Sequence, residues 1–235
     1  PLSGNARLFA HSFREGCLRG LRHEANVVVN AYLDASADDE DGFALLPLFL
    51  SVRATVRAHV LAAAGDVDDS RAYLDLALSL LEPQPPRIVA IGGGSGTGKS
   101  TRARSWGGDL GVAPGARILR SDVLRKRLAG VPTLTRLPAS AYTPQMSARV
   151  YAELGLLAAA DLAGGMSVIA DAVFGSDEER DDIAAVAATS SAEFTGIWLE
   201  LDEQTRIARI EGRGPDASDA TADVARAQTR ALRPP

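Results

Sequence analysis

The octapeptide Gly93-Gly94-Ser95-Gly96-Thr97-Gly98-Lys99-Ser100 constrains this chain more than any other stretch. It fits G-x-x-x-x-G-K-[ST] at every fixed position. Apolar residues 88–91 lead in and helix-forming residues follow, which is the strand–loop–helix setting such a loop requires. Glycines let the backbone curl until its N–H groups point inward, and the helix N-terminus adds partial positive charge. The pattern therefore specifies a cradle for phosphate. Lys99 supplies a full charge for the β- and γ-phosphates, the Ser100 hydroxyl suits Mg2+, and Thr101 is placed to hydrogen-bond the α-phosphate. Of 25 basic residues only Lys99 and Lys126 are lysines. The lysine of this loop stands against a strong arginine preference.

The sequence around the loop divides in two. Glu82-Pro83-Gln84-Pro85-Pro86 cannot continue a helix, so residues 83–86 read as a stiff linker. Before it, residues 18–33, 43–64 and 70–81 show helical periodicity, the last with Tyr73, Leu74, Ala77, Leu78 and Leu81 on one face. The acidic run Asp38-Asp39-Glu40-Asp41 reads as a solvated turn. After the linker, strands over 87–91, 116–120, 167–170 and 194–201 alternate with helices over 99–106, 123–129, 144–163 and 177–188. That alternation predicts a three-layer α/β/α domain with a parallel sheet over 87–235, preceded by an all-helical segment over 1–82.

Charge and composition exclude several classes. Residues 1–82 hold seven basic and twelve acidic side chains, and residues 83–235 hold eighteen of each. Neither part carries the basic excess of a duplex-binding module. The longest apolar run, residues 43–52, is short and contains Pro47, so no membrane span is expected. One cysteine, Cys17, permits no disulfide within the chain and points to a reducing cytoplasm. Residues 83–235 lack the N-K-x-D element that reads guanine, which favours ATP.

Residues 83–235 also contain no histidine and no cysteine, so a catalytic base there must be a carboxylate. Asp122 and Asp171 each fall at the carboxyl end of an expected strand, where open α/β sheets bind ligands. Asp122 is placed to accept the proton of a substrate hydroxyl, and it can also cap the helix that follows. Arg120 and Arg125 beside it suit an anionic or polar substrate. Asp171 is placed to support Mg2+. Arg206, Arg209 and Arg213 share a helix face, and Gly212-Arg213-Gly214-Pro215-Asp216 has the composition of a mobile lid carrying arginines over phosphates. Arg213 is the candidate catalytic arginine and Arg209 a nucleotide contact. Arg136, Tyr142 and Arg149 are candidate substrate contacts in the irregular stretch 133–142 and just after it. Ser176-Asp177-Glu178-Glu179 is a capping box with a structural role.

Together these residues resemble the small P-loop kinases of the gluconate/shikimate kinase, zeta-toxin, chloramphenicol phosphotransferase and polynucleotide kinase type. The resemblance rests on residues 93–101, Arg120-Ser121-Asp122 with Arg125, Val168-Ile169-Ala170-Asp171-Ala172, and Arg213 with Asp216-Ala217-Ser218-Asp219-Ala220. It is strongest to bacterial proteins in which an aminoglycoside-phosphotransferase-like domain precedes such a kinase. Thr135-Arg136-Leu137-Pro138 with Ala141-Tyr142-Thr143-Pro144 looks like their insertion. Residues 26–33 and 45–49, with Arg53 and Arg57, are similar to the helical end of that preceding domain. Its H-G-D-x-x-x-x-N catalytic loop is absent, so residues 1–82 are expected to carry no transfer chemistry. The resemblance implies an ATP- and Mg2+-dependent transfer to a hydroxyl of a small molecule. A non-catalytic ATP-binding module and an end kinase acting on nucleic acid are the alternatives. Related kinases carry a further strand after the lid, near the adenine; the sequence shows none, only a helix over 219–232.

Overall fold

The computed structural model describes residues 21–235. The expected helix over 18–33 lies partly outside them, and Cys17 wholly so. Helix α1 spans Arg22–Ala35. A 3-10 turn over Ala37–Leu45 leads into α2, Leu46–Ala63, with Pro47 in its first turn. Gly65 ends that run in the left-handed region, φ 84°. Helix α3 follows over Val67–Ser79, capped by the Asp66 side chain. Its buried residues are Ala77 and, just beyond, Leu80, whereas Leu74, Leu78 and Leu81 are exposed. The inward face is thus offset from the one that periodicity picks out, because Leu76 and Leu80 turn toward the cluster of Ala25, Val29, Phe43 and Leu50.

The remainder alternates as expected: β1 Arg87–Gly92, α4 Lys99–Gly107, β2 Arg117–Arg120, α5 Ser121–Leu128, α6 Pro144–Ala163, β3 Val168–Asp171, α7 Asp177–Thr189, β4 Glu193–Trp198, α8 Glu203–Glu211 and α9 Ala222–Ala231. The strands pair in parallel in the order β2-β3-β1-β4. Helices cover both faces, so this is the α/β P-loop NTPase architecture. Ile88, Ala90, Leu119, Val168 and Ala170 meet α6 and α7 on one side. Val89, Ile91, Ile118 and Ile169 meet α4 on the other. Because every strand runs the same way, all carboxyl ends share one edge, where functional groups can gather. The capping box at Ser176 and Glu179 forms as read.

The helical segment lies along the outer edge of β2. Asn30 Oδ1 accepts from the Ile118 N–H at 2.7 Å, and Asn26 Nδ2 donates to the Ala116 carbonyl at 2.9 Å. Gly107 makes that approach possible, since a Cβ there would sit 2.2 Å from Asn26 Oδ1.

The acidic run is solvated at Asp38, Asp39 and Asp41, as expected, and departs from that expectation at Glu40. Glu40 is buried, bonding to Arg117 at 2.5 Å and Arg127 at 3.1 Å. Like charges resist burial only while unpaired, and Arg117, 1% exposed, also meets Asp34 and Asn30. The membrane expectation also changes at the level of length and composition: the run Ala37–Ala63 is long and apolar enough to cross a bilayer. Phe43, Leu50, Ala54 and Ala58 of that run are buried, while Phe49, Val52, Val56 and Val60 are exposed.

Candidate active site

The phosphate loop joins β1 to α4 at the carboxyl edge of the sheet. Gly93, Gly96 and Gly98 all take positive φ, at 128°, 86° and 97°. At Gly96 a Cβ would also sit 2.6 Å from the Arg206 carbonyl oxygen, so sterics as well as torsion demand glycine. Gly93 N–H donates to the Val173 carbonyl at 3.0 Å, and the Thr97 hydroxyl to the Gly94 carbonyl at 2.8 Å. Lys99 Nζ donates to the Gly93 and Gly94 carbonyls at 2.8 and 3.1 Å. Burial pulls the Lys99 ammonium pKa below its ordinary value, while Asp171 and Asp122 oppose that shift.

Parallel registry sets the acids beside the loop. Asp171 ends β3 opposite Ile91 of β1 and Arg120 of β2. Its Oδ2 accepts from the Ser100 hydroxyl at 2.5 Å and lies 3.6 Å from Arg120 Nε. Asp122 enters from the first turn of α5. Burial pushes its carboxyl above the ordinary 3.8; Ser218 bonding to it pulls the other way, and Asp171 adds to the rise. Loop and acids line one cleft of about 780 Å3, together with Thr101, Arg120, Arg209 and Arg213.

The arginines divide by role. Arg209 and Arg213 face the cleft, each held lightly: Arg209 Nη1 reaches the Thr97 carbonyl at 3.4 Å and Arg213 Nη2 the Ser218 carbonyl at 2.9 Å. Arg206 is buried instead, donating to the carbonyls of Ser95 and Ala225 and to Gln228 and Thr229. It clamps the loop and is unavailable as a lid arginine. Arg120 lines the cleft but is engaged by Asp216 at 2.7 Å. Burial works against the Asp216 carboxylate, yet Arg120 holds it below its ordinary pKa.

Four expected substrate contacts lie elsewhere. Arg125 donates to the Ala141 carbonyl at 3.2 Å and to Ser147, and sits 4.8 Å over the Tyr142 ring. The Tyr142 hydroxyl bonds to Asp219. Both hold the 133–142 insertion in place and do not line the phosphate cleft. Arg136 is exposed in a neighbouring cleft with Arg213 and Asp219. Arg149 makes no hydrogen bond or ion pair with a described residue.

Sequence reasoning missed Gln228 and the role of Lys126. Gln228 Oε1 accepts from the Ser95 N–H at 2.7 Å, so α9 packs back onto the phosphate loop where the expected helix runs. Among the described residues no strand follows the lid. Lys126, 1% exposed, pairs with Asp219 and ties the lid to the insertion. Its rarity was the available signal; its partner, 93 positions away, was not legible.

The donor set fits a magnesium nucleotide. A hydroxyl and a carboxylate meet at Ser100 and Asp171, and the buried Arg120 Nε lacks a hydrogen-bond partner beside them. No cluster of three or more His, Cys, Asp or Glu side chains that could hold a metal ion occurs among the described residues.

An uncharacterized protein of Mycobacterium tuberculosis strain H37Rv and one of Mycobacterium bovis are each 30% identical over 195 residues, covering 78% of this chain. The chain spans 38% of the length of these curated relatives. A gluconokinase structure from Sinorhizobium meliloti aligns at 21% identity and TM-score 0.45, covering 66% of this chain and 78% of that one. A sugar kinase structure from Janibacter aligns at 18% identity and the same TM-score, covering 64% and 80%. The AAA domain family matches residues 88–235, from the second residue of β1 through the phosphate loop to α9 and the last residue, and the chain belongs to that family.

Proposed function

We propose that the chain is an ATP- and Mg2+-dependent phosphotransferase acting on a hydroxyl of a small molecule. The observation that carries this reading is Asp122. A module that only bound nucleotide would need the loop, but not a second carboxyl sharing the cleft with Lys99, Arg209 and Arg213.

Inward N–H groups of residues 96–101 hold the phosphates, and Lys99 leaves its two carbonyl partners to meet them. Ser100 and Asp171 would hold Mg2+, which when bound neutralises charge on the phosphate oxygens. Arg209 and Arg213 reach over the transferring group with few bonds to break. Asp122 orients the acceptor hydroxyl and takes its proton; its raised pKa brings it nearer the working pH, as a general base requires. Residues 1–82 contribute no transfer chemistry of their own.

A metabolite panel with γ-labelled ATP tests this, run on wild type, Lys99→Ala and Asp122→Asn. Transfer should fall to a small residual rate in both variants, with nucleotide affinity weakened only in the first. Wild-type turnover by Asp122→Asn would sink the assignment of Asp122.

A further inference from the structure

A second cavity, of about 390 Å3, opens between α1 and the P-loop segment. Val27, Ala31 and Ala35 of α1 form one wall, and Ile118 and Leu134 form the other. Of its polar lining, Asn30 bonds to Ile118 and Asp34 to Arg117, while Thr133 and two arginines complete it. What remains is apolar and of a volume typical for a small ligand. Val27 is 41% exposed and Leu134 64%, so two large apolar groups stand uncovered on facing walls.

The cavity adjoins the phosphate cleft, since Arg104 and Arg120 line both. Arg120 is engaged by Asp216 and Asp171. Arg104 makes no hydrogen bond or ion pair with a described residue. A free guanidinium at the mouth of an apolar cavity, beside a phosphate cleft, selects for an anion with an apolar body.

We propose that this cavity is the acceptor site and that the acceptor is a small amphipathic hydroxy acid. Its apolar body lies between α1 and residues 133–134, its carboxylate meets Arg104, and its hydroxyl points toward Asp122. This deepens the phosphotransferase reading and rests on it. In the step, the hydroxyl proton passes to Asp122 and the freed oxygen bonds to the γ-phosphorus. The bond from that phosphorus to the β,γ-bridging oxygen breaks, and its electron pair leaves with ADP. A purely polar sugar acid would leave both apolar walls uncovered. The helical segment, through α1, thereby sets specificity.

The test compares phenyllactate with gluconate by calorimetry on wild type, Ala31→Phe and Arg104→Gln, each checked for a cooperative thermal transition. Phenyllactate should bind wild type at least about tenfold more tightly than gluconate. Either substitution should weaken it by about tenfold, the effect of one lost charge-assisted bond or a filled cavity. Equal binding of the two acids, no phenyllactate binding, or affinity within about twofold in Ala31→Phe overturns the proposal. The underlying reading fails separately. If phenyllactate binds as expected but its addition consumes no ATP, the cavity stands and the phosphotransferase assignment falls. If Ala31→Phe phosphorylates phenyllactate at the wild-type rate, the cavity falls and the phosphotransferase assignment stands.

Discussion

The Ser100 hydroxyl lies 2.5 Å from Oδ2 of Asp171, joining the first turn of α4 to the last residue of β3. The two residues are 71 positions apart in sequence and are united only by parallel strand registry. They should behave as one unit. Ser100→Ala and Asp171→Ala should each raise the Mg2+ concentration for half-maximal turnover by roughly 10-fold or more, and the double variant should be much less than additive. A magnesium titration of initial rates measures this.

Lys99 bonds only to carbonyls of its own loop. Its replacement by alanine should cost little stability and much affinity. A charge-assisted bond contributes about 1.5–3 kcal/mol, so ATP should bind roughly 10- to 100-fold more weakly. Titration with a fluorescent ADP analogue, beside a thermal melt, separates the two effects.

Asp122 predicts a pH profile. Its carboxyl is pushed up from 3.8, and the ionised form is the base. Activity should therefore fall on acidification through a limb lying above the range of an exposed aspartate. In Asp122→Asn the residual rate should lose that limb. The pH dependence of kcat/KM is the measurement.

Much of this site was legible because it is local. The phosphate loop, its flanking strand and helix, and both strand-end aspartates follow from short-range pattern and the known place of ligands in parallel sheets. The misread residues are those whose partners are distant. Arg206 shares a periodic face with Arg209, but only α9 arriving with Ala225, Gln228 and Thr229 makes it a clamp. Glu40 looks solvated until Arg117 and Arg127 come to it across more than 70 positions. Arg125 and Tyr142 read as substrate contacts, yet they satisfy each other and the insertion. Periodicity gives which face a residue occupies, not what meets that face.

Arg206 should accordingly act through stability. Arg206→Ala strands acceptors at Ser95 and Ala225 and removes bonds to Gln228 and Thr229. A loss of roughly 2–4 kcal/mol is expected from urea unfolding, with weaker nucleotide binding following from a loosened loop.

Asp161 offers a stability test remote from the site. Burial raises its carboxyl to about 7, against the pull of Arg117, and its Oδ2 lacks a hydrogen-bond partner. The folded chain therefore keeps this proton where the unfolded chain has released it. The group's favourable contribution is complete below the unfolded value near 3.8 and is lost as pH rises toward about 7. Asp161→Asn, fixed in the neutral shape, should gain on wild type across that window and then level off, by roughly 2–4 kcal/mol. Urea midpoints at several pH values check it.

Strand β2 lies at the margin of the sheet, and the polar groups on its outer side find partners in α1 rather than in another strand. Asn26 and Asn30 supply from side chains what a neighbouring backbone would supply. Removing residues 1–82 would uncover a row of unmatched amides and carbonyls of the kind through which chains stick to one another. The excised P-loop segment should thus self-associate, and the intact chain should melt in a single cooperative transition despite the proline-rich joint between its parts. Light scattering and calorimetry would read the two outcomes. The first helix is, in that sense, a chaperone that never leaves.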